Sequence, residues 1–214
     1  MLQEVVDALK NGEIVCFPTE TLYALACNAC SENAVRRLYD IKKRSYNRPL
    51  SLLLHNTSQI AEFTHITDTD FKIVEMLSPG PITYVLPLRK IQNLPELFFR
   101  NTLGIRIPDH KLAHDILTKV DFPVAATSAN ISGENATALA SEIPTEIRKN
   151  VSKFLENDYS VSGVCSTVFD MISRKILREG LISSTKIIDA INVAEKQHGY
   201  SSRTQRSKER SSKK

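Results

Sequence analysis

The chain has 214 residues, of which 42% are hydrophobic and 24% are charged, the composition of an ordinary globular protein with a buried core. Its longest charge-free apolar stretches, such as residues 78–88, fall far short of the roughly 20 residues that a membrane-spanning helix needs. The acidic, amphipathic start of the chain is unlike a secretory signal peptide, and four cysteines are too few for a disulfide scaffold. We therefore expect a soluble, cytoplasmic protein that does not engage a membrane.

Helices and strands alternate in the first half of the chain. Apolar residues at helical spacing predict a helix over residues 1–11, and a mostly apolar run over 13–17 predicts a buried strand. Ser31 is a favourable N-cap for a helix over 31–41. The further elements predicted up to residue 88 are a strand over 50–54, helices over 58–63 and 71–77, and a strand over 82–88.

The second half continues the mixed pattern. Its predicted elements are a strand over 103–107, a helix over 110–119, strands over 124–126, 164–170 and 175–177, and a helix over 185–193. The alternation lacks the strict strand–helix–strand rhythm of a dinucleotide-binding sheet, and the sequence contains no internal repeat. We therefore predict an α/β fold in which helices flank a twisted mixed β-sheet.

The charge is distributed unevenly along the chain. The formal net charge is +4, but the last 14 residues hold six basic side chains and one acidic one, so residues 1–200 together carry −1. From residue 201 the chain is rich in Ser, Arg and Lys and has no aliphatic side chain to bury. We therefore predict a folded domain over residues 1–200 and a disordered basic tail over 201–214.

Several common nucleotide-binding and hydrolase motifs are missing from the sequence. With seven glycines in the whole chain, it has no Walker loop, no G-x-G-x-x-G turn and no G-x-S-x-G nucleophile elbow. A bound nucleotide would therefore be held by side chains and irregular loops.

Two residue pairs have the spacing of metal or redox sites. Cys27 and Cys30 have zinc-ribbon spacing, but no second pair accompanies them, and we expect buried, inert thiols. His110 and His114 lie on one predicted helix face without a third ligand, and Asp109 is placed to cap that helix. We therefore predict no metal site.

Polar clusters follow several of the predicted apolar elements. Each cluster alone also fits a structural role, and cations near a helix C-terminus are favoured by the helix dipole. Lys42 and Arg44 would share one face only if the chain is extended there. Together, the clusters predict an open, cationic cleft rimmed by hydroxyls, suited to a phosphate-bearing ligand and a small polar one. They are Thr19-Glu20-Thr21, Lys42-Lys43-Arg44, Ser128-Ala129-Asn130, Ser166-Thr167 within an apolar strand, and Arg178.

These clusters, with their flanking residues, closely resemble the YrdC (TsaC) family of threonylcarbamoyl-AMP synthases. Seven family motifs occur in order between residues 2 and 181. They are P-T-E-T-x-Y at 18–23, K-x-R at 42–44 followed by P-L at 49–50, P-G-P-x-T at 79–83, R-x-P-x-H at 106–110, S-x-N at 128–130, S-T-V-x-D at 166–170 and L-R-x-G at 177–180.

The resemblance implies a nucleotidyltransferase of tRNA processing. Such an enzyme joins L-threonine, bicarbonate and ATP into threonylcarbamoyl-AMP and pyrophosphate, with Mg²⁺ assisting. A downstream transferase complex then passes the threonylcarbamoyl group to the tRNA adenosine beside the anticodon. No covalent enzyme nucleophile is needed, which agrees with the missing triad motifs.

The resemblance also assigns residues to roles. Thr19, Arg106 and Ser166 correspond to the L-threonine site, with Arg106 pairing the carboxylate. The ATP side comprises Lys42, Arg44, Thr102, Ser128, Asn130 and Arg178, and the catalytic set among these is Lys42, Arg44, Ser128 and Asn130. Long members of the family carry an extra C-terminal domain, and this chain resembles the short form.

Four departures from the family pattern stand out. Ala24 replaces a usual Gly, Ser78 a usual Trp and Ser45 a usual Pro, and Leu53 stands where many members have a threonine-contacting His. Two alternatives therefore stay open. One is a divergent paralogue like the YciO branch, of which the run over residues 49–54 is reminiscent. The other is a double-stranded RNA or tRNA-binding module that uses the basic tail.

Overall fold

Nine strands of the computed structural model form one mixed β-sheet. The structure describes the backbone of residues 1–90, 93–159 and 161–211, and the side chains of these residues up to 197. The strands are β1 (Val15–Pro18), β2 (Tyr23–Asn28), β3 (Ser51–Leu53), β4 (Ile82–Pro87), β5 (Thr102–Arg106), β6 (Val124–Ser128), β7 (Lys153–Phe154), β8 (Thr167–Asp170) and β9 (Lys175–Arg178). Their spatial order is β7-β1-β2-β6-β3-β5-β4-β8-β9.

The strand pairing is of both kinds. The pairs β1–β7, β3–β5 and β4–β8 are parallel, and the others are antiparallel. Several strands that are consecutive in the sequence are not adjacent in the sheet. For example, β6 lies between β2 and β3. The predicted α/β fold with a mixed sheet is thereby confirmed.

Seven α-helices among the described residues flank the sheet. They are α1 (Leu2–Lys10), α2 (Glu32–Ile41), α3 (Ile60–Phe63), α4 (Asp68–Leu77), α5 (Lys111–Leu117), α6 (Thr145–Asn150) and α7 (Ser184–Ser211). Ser31 caps α2 as predicted, since its side chain accepts a hydrogen bond from the backbone N–H of Ala34. Neither α6 nor β7 was predicted, because α6 has a single fully buried apolar side chain, Ile147, and β7 is two residues long. No helix among the described residues is both long and apolar enough to cross a membrane.

The backbone of α7 continues to Ser211, into the segment for which the sequence predicts disorder. Arg, Lys, Gln and Glu are good helix formers, so a helix that is anchored upstream can extend through them. The anchor is the packing of Ile187, Ala190 and Ala194 in the core. The division into a domain over 1–200 and a tail over 201–214 stays a prediction, and residues 212–214 lie outside the described part.

The two faces of the sheet carry separate cores. Helices α1 and α5 pack on one face, through residues such as Val6, Leu9 and Ile116. The larger core, on the other face, includes side chains of α2, α4 and α7, such as Val35, Val74 and Ile187. Helices α1 and α5 cover only part of their face of the sheet and leave the rest of it open.

Candidate functional site

One cavity of about 590 Å³ opens beside α1 and α5, a volume typical of small-molecule sites. Ala24, Leu53 and Ala126 belong both to the core under α1 and α5 and to the cavity lining. The cavity therefore lies on the α1/α5 face of the sheet, over strands that these helices leave uncovered. This is the open polar cleft that the sequence predicts.

Small side chains form the floor of the cavity. Ser51 is paired in register with Ala126 on one side and Gly104 on the other, and Gly104 is paired with Val85. All four residues line the cavity. A Cβ at Gly104 would lie 2.8 Å from Ser51 Oγ, so a side chain there would have to displace this hydroxyl.

Hydroxyls and one arginine form a connected network at one end of the cavity. Arg106 Nη2 donates to Thr21 Oγ1 (2.7 Å) and lies 3.4 Å from Thr19 Oγ1. The two threonine oxygens are 3.0 Å apart, and Thr19 Oγ1 donates to the carbonyl of Leu22 (2.7 Å). Since Thr19, Thr21 and Arg106 are almost completely buried, the network holds each side chain in one place before any ligand arrives.

Ser166 joins this end to a second arginine. Its hydroxyl lies 2.9 Å from Thr83 Oγ1 and accepts a hydrogen bond from Arg178 Nη2 (3.0 Å). Arg178 also donates from Nε and Nη2 to the carbonyl of Ser166. A Cβ at Gly180 would lie 2.4 Å from the carbonyl oxygen of Cys165, so the glycine of the L-R-x-G motif permits the close approach of these two segments.

Lys42 lies beneath the cavity and is absent from its lining. Its ammonium donates to the carbonyls of Ser128 (2.5 Å) and Asn130 (2.8 Å) and to Asn130 Oδ1 (2.7 Å). Ser128 Oγ donates to the same Oδ1 (2.6 Å). The ammonium group thus has three oxygen acceptors at hydrogen-bonding distance, one for each of its protons. Lys42 therefore fixes the turn that follows β6.

The end of α2 explains why Lys42 and Arg44 point to different places. Lys43 has φ +50°, in the left-handed region, and the backbone N–H groups of Lys43 and Arg44 donate back to the carbonyls of Asp40 and Tyr39. This is a Schellman motif, so the chain is not extended there. Lys42 is turned inward, whereas Arg44 lines the cavity.

The environment of Lys42 is electrostatically unusual. The oxygen acceptors stabilise its charged form, whereas burial, followed by the nearby charges of Arg44 and Arg48, lowers the pKa of Lys42 to about 7. Burial is also the main cause that lowers the pKa of Arg44, which remains a cation in any case.

Cations without acidic partners line the other end of the cavity. Arg44 donates from Nε to the carbonyl of Arg48 (3.1 Å) and from Nη2 to that of Pro49 (2.9 Å). Arg48 and Arg178 line the same cavity, and none of the ion pairs of the described residues involves these three arginines. The sequence-predicted Thr102, Ser128 and Asn130 are also lining residues.

Cys27 and Cys30, which have the spacing of a metal or redox site, have the surroundings of inert thiols. Cys27 is buried and Cys30 half-buried, and burial raises the pKa of both thiols, as expected for inert cysteines.

The prediction that Asp109 caps α5 is wrong, because His110 holds the N-cap position and makes no side-chain cap hydrogen bond. His110 has extended backbone angles and the helix begins at Lys111, so Asp109 lies one position before the N-cap. Over the described ranges, no three His, Cys, Asp or Glu side chains group as metal ligands do.

Sequence reasoning did not single out Arg48 and Thr83, which line the cavity, and it grouped Thr167, which does not line the cavity, with Ser166. Arg48 precedes a proline and carries no motif that the prediction used, although it stands four residues after Arg44. Thr83 points into the cavity from the middle of β4, where alternation alone does not distinguish the two faces. Thr167 was grouped with Ser166, but its hydroxyl is buried on the backbone of Ile182 (2.7 Å), so the two residues have different surroundings.

Known proteins resemble the chain over most of its length. The Sua5/YciO/YrdC family model, described as telomere recombination, matches residues 7–180. A Methanocaldococcus jannaschii protein that is provisionally named a threonylcarbamoyl-AMP synthase is 34% identical over 191 residues, which are 86% of this chain and 90% of that protein. The threonylcarbamoyl-AMP synthase of Vibrio vulnificus is 28% identical over 84% of this chain and 98% of its own.

A solved structure shares the fold. The crystal structure of P. abyssi Sua5 complexed with L-threonine superposes with a TM-score of 0.83 at 29% identity, covering 89% of this chain and 57% of that one. The family match spans the β1–β2 turn, the end of α2, the turn after β6 and the β8–β9 hairpin, which together build the cavity. The resemblance seen in the sequence motifs is thereby confirmed, and the chain belongs to the Sua5/YciO/YrdC family.

Proposed function

We propose that this chain is an L-threonylcarbamoyladenylate synthase. It converts L-threonine, bicarbonate and ATP into threonylcarbamoyl-AMP and pyrophosphate, for the threonylcarbamoyl modification of tRNA. The observation that carries the proposal is that a single cavity joins two chemically different ends. One end is the hydroxyl network around Arg106, and the other is the group of arginines without acidic partners.

The hydroxyl end fits a small amino acid. The guanidinium of Arg106 is the cation for the L-threonine carboxylate, because charge-assisted hydrogen bonds from a guanidinium to a carboxylate are short and strong. Thr19 and Ser166 lie on either side as hydroxyl partners for the polar groups of threonine. Leu53 is paired in register with Arg106 and offers an apolar contact where many relatives place a histidine.

The cationic end fits a triphosphate. Arg44, Arg48 and Arg178 offset the charge of the phosphates and of the pyrophosphate that leaves. Ser128, Asn130 and Thr102 supply polar contacts to the nucleotide. Lys42 acts through Ser128 and Asn130, whose turn it holds. The single acidic lining residue among those described is Glu134, so these side chains do not form a Mg²⁺ site, and Mg²⁺ enters with ATP as part of the substrate.

The chemistry requires positioning and charge compensation. The threonine amine forms a carbamate, either with CO₂ and release of a proton or with bicarbonate and release of water, and a carbamate oxygen attacks the α-phosphorus of ATP. The new bond is O–P, and the bond from the α-phosphorus to the bridging oxygen breaks to release pyrophosphate. Holding both reactants in one cavity makes the attack intramolecular in effect. This can lower the activation free energy by roughly 7–11 kcal/mol at most. The downstream transferase complex would then take the product.

Pyrophosphate release tests the proposal. The full chain is incubated with ATP and Mg²⁺, with and without L-threonine and bicarbonate. We expect release that requires both additions, together with threonylcarbamoyl-AMP detected by mass spectrometry. ATP binding without threonine-dependent release would instead favour the divergent, YciO-like alternative.

A further inference from the structure

Glu20 has an unusual position for an acidic side chain. Its neighbours Thr19 and Thr21 line the cavity, whereas Glu20 does not. Its carboxylate therefore points away from the cavity, and both of its oxygens are buried without an aligned hydrogen bond from the described residues. A buried carboxylate is costly unless a cation compensates for it.

Arg106 is the cation that compensates. Its Nη2 lies 2.8 Å from Glu20 Oε1, and both side chains are close to 90% buried. The charge of Glu20 also acts on His110, but burial is the larger effect and lowers the pKa of that imidazole below its usual value. His110 is thus uncharged at neutral pH, and the ion pair with Arg106 is what balances Glu20.

The contacts of Arg106 divide its guanidinium into an anchored and an available part. Nη2 contacts Thr21, Thr19 and Glu20. For Nη1, the described residues provide no hydrogen bond, and Nε is buried without a partner. Because the guanidinium is planar and rigid, anchoring Nη2 also fixes the direction of the other N–H groups.

We propose that Glu20 is a positioning residue for L-threonine, which holds the Arg106 guanidinium from behind the cavity so that its Nη1 group meets the substrate carboxylate. This inference rests on the proposed function and deepens it. Glu20 does not touch the substrate. Its contribution is the fixed orientation of the one side chain that recognises the carboxylate.

Glu20 has two opposing effects on the binding of L-threonine. Its negative charge weakens the attraction of Arg106 for a second carboxylate, and its contact with Nη2 removes the conformational freedom of the guanidinium. Orientation prevails here because Arg106 is buried and therefore needs a permanent counter-charge in the free protein. Without Glu20, Arg106 would reorient toward other acceptors, and threonine binding would have to restore its position.

Calorimetric binding to the full chain tests the inference, with L-threonine and L-threoninol, which lacks the carboxylate, as ligands. We expect Glu20→Gln to weaken L-threonine binding by about tenfold or more. Binding of L-threoninol and ATP should stay within about twofold, because neither uses the orientation of Arg106. Glu32→Gln is the matched control, since it removes an Arg-paired carboxylate on the surface of α2.

The outcomes separate the two proposals. Unchanged or tighter L-threonine binding by Glu20→Gln would overturn the positioning role, as would an equal loss for L-threonine, L-threoninol and ATP. If the wild-type chain itself fails to bind L-threonine, the proposed function fails, and the inference with it. Should Glu20→Gln not fold, Glu20→Asp serves instead, and we expect a smaller loss that is again confined to the carboxylate-bearing ligand.

Discussion

The two ends of the cavity are built on opposite physical principles. At the hydroxyl end, Arg106 is buried, paired with Glu20 and hydrogen-bonded to Thr21. At the cationic end, Arg44 donates to backbone carbonyls of its own turn, and neither Arg44 nor Arg48 has an acidic partner among the described residues. One end has its counter-charge before a ligand arrives, and the other does not.

The difference matches what each ligand offers. A small amino acid has few atoms, so its recognition depends on donors that are already in place. A triphosphate carries several negative charges and gains most of its binding energy from charge compensation, which tolerates looser geometry. The mutual repulsion of the free arginines is relieved when the phosphates bind. The predictions below test this contrast, from the largest expected effect to the smallest.

Removing Lys42 or Arg44 should have the largest effect on catalysis. We expect Lys42→Ala and Arg44→Ala each to lower threonine-dependent pyrophosphate release by at least about 100-fold. Lys42→Ala should also destabilise the fold, because each buried oxygen left without a donor costs about 1–3 kcal/mol. Arg44→Ala should leave stability within about 0.5 kcal/mol, since water can reach the carbonyls of its exposed turn.

Thermal unfolding separates the two residues. A melting temperature that falls by several degrees in Lys42→Ala and hardly changes in Arg44→Ala is the expected result. Lys43→Ala is the matched control, because Lys43 lies between them and pairs with Glu146 on the surface at 3.0 Å. Normal turnover in both Lys42→Ala and Arg44→Ala would show that the cationic end is not where the reaction occurs.

Arg178 connects the two ends, so a conservative change there should affect them unequally. Lysine keeps the charge but cannot reproduce the contacts from Nε and Nη2 to Ser166. We expect Arg178→Lys to raise KM for L-threonine about tenfold while KM for ATP changes little. Arg178→Ala, which loses the charge as well, should raise both. A loss confined to ATP in Arg178→Lys would mean that Ser166 does not depend on this arginine.

Most of the residues that the sequence analysis assigned to the site line one cavity, but the orientations of their side chains did not follow from the sequence. The cap at Ser31 and the strand before Thr19 follow from local preferences, and both were confirmed. The inward turn of Lys42 depends on a left-handed Lys43, which residue preferences do not favour, since glycine is the usual residue there. The pairing of Glu20 with Arg106 joins residues 86 positions apart in sequence, so it depends on the sheet order and no local pattern contains it.

The pH dependence of stability should report the cost of keeping Lys42 charged in a buried position. The pKa of Lys42 is about 7 in the folded chain, against an ordinary value of 10.5. Between these values the unfolded chain binds more protons than the folded one, so the free energy of unfolding rises with pH. We expect urea unfolding to show this rise from pH 7 to 9 in the wild type and a smaller one in Lys42→Met. ATP should reduce the difference, because its phosphates offset the charges of Arg44 and Arg48. Equal slopes in the two proteins would contradict the lowered pKa.

Deleting residues 201–214 should have the smallest effect on the reaction. The deleted residues carry +5 and the rest of the chain −1, but the anchoring residues of α7 lie upstream, at Ile187, Ala190 and Ala194. We expect the truncated chain to release pyrophosphate at a rate within about twofold of the full chain. Any affinity for double-stranded RNA should fall steeply with salt and be lost on truncation, because counterion release scales with the number of phosphates contacted. A large loss of turnover with retained RNA affinity would contradict this prediction. It would mean that residues 201–214 contribute to the reaction and not to RNA binding.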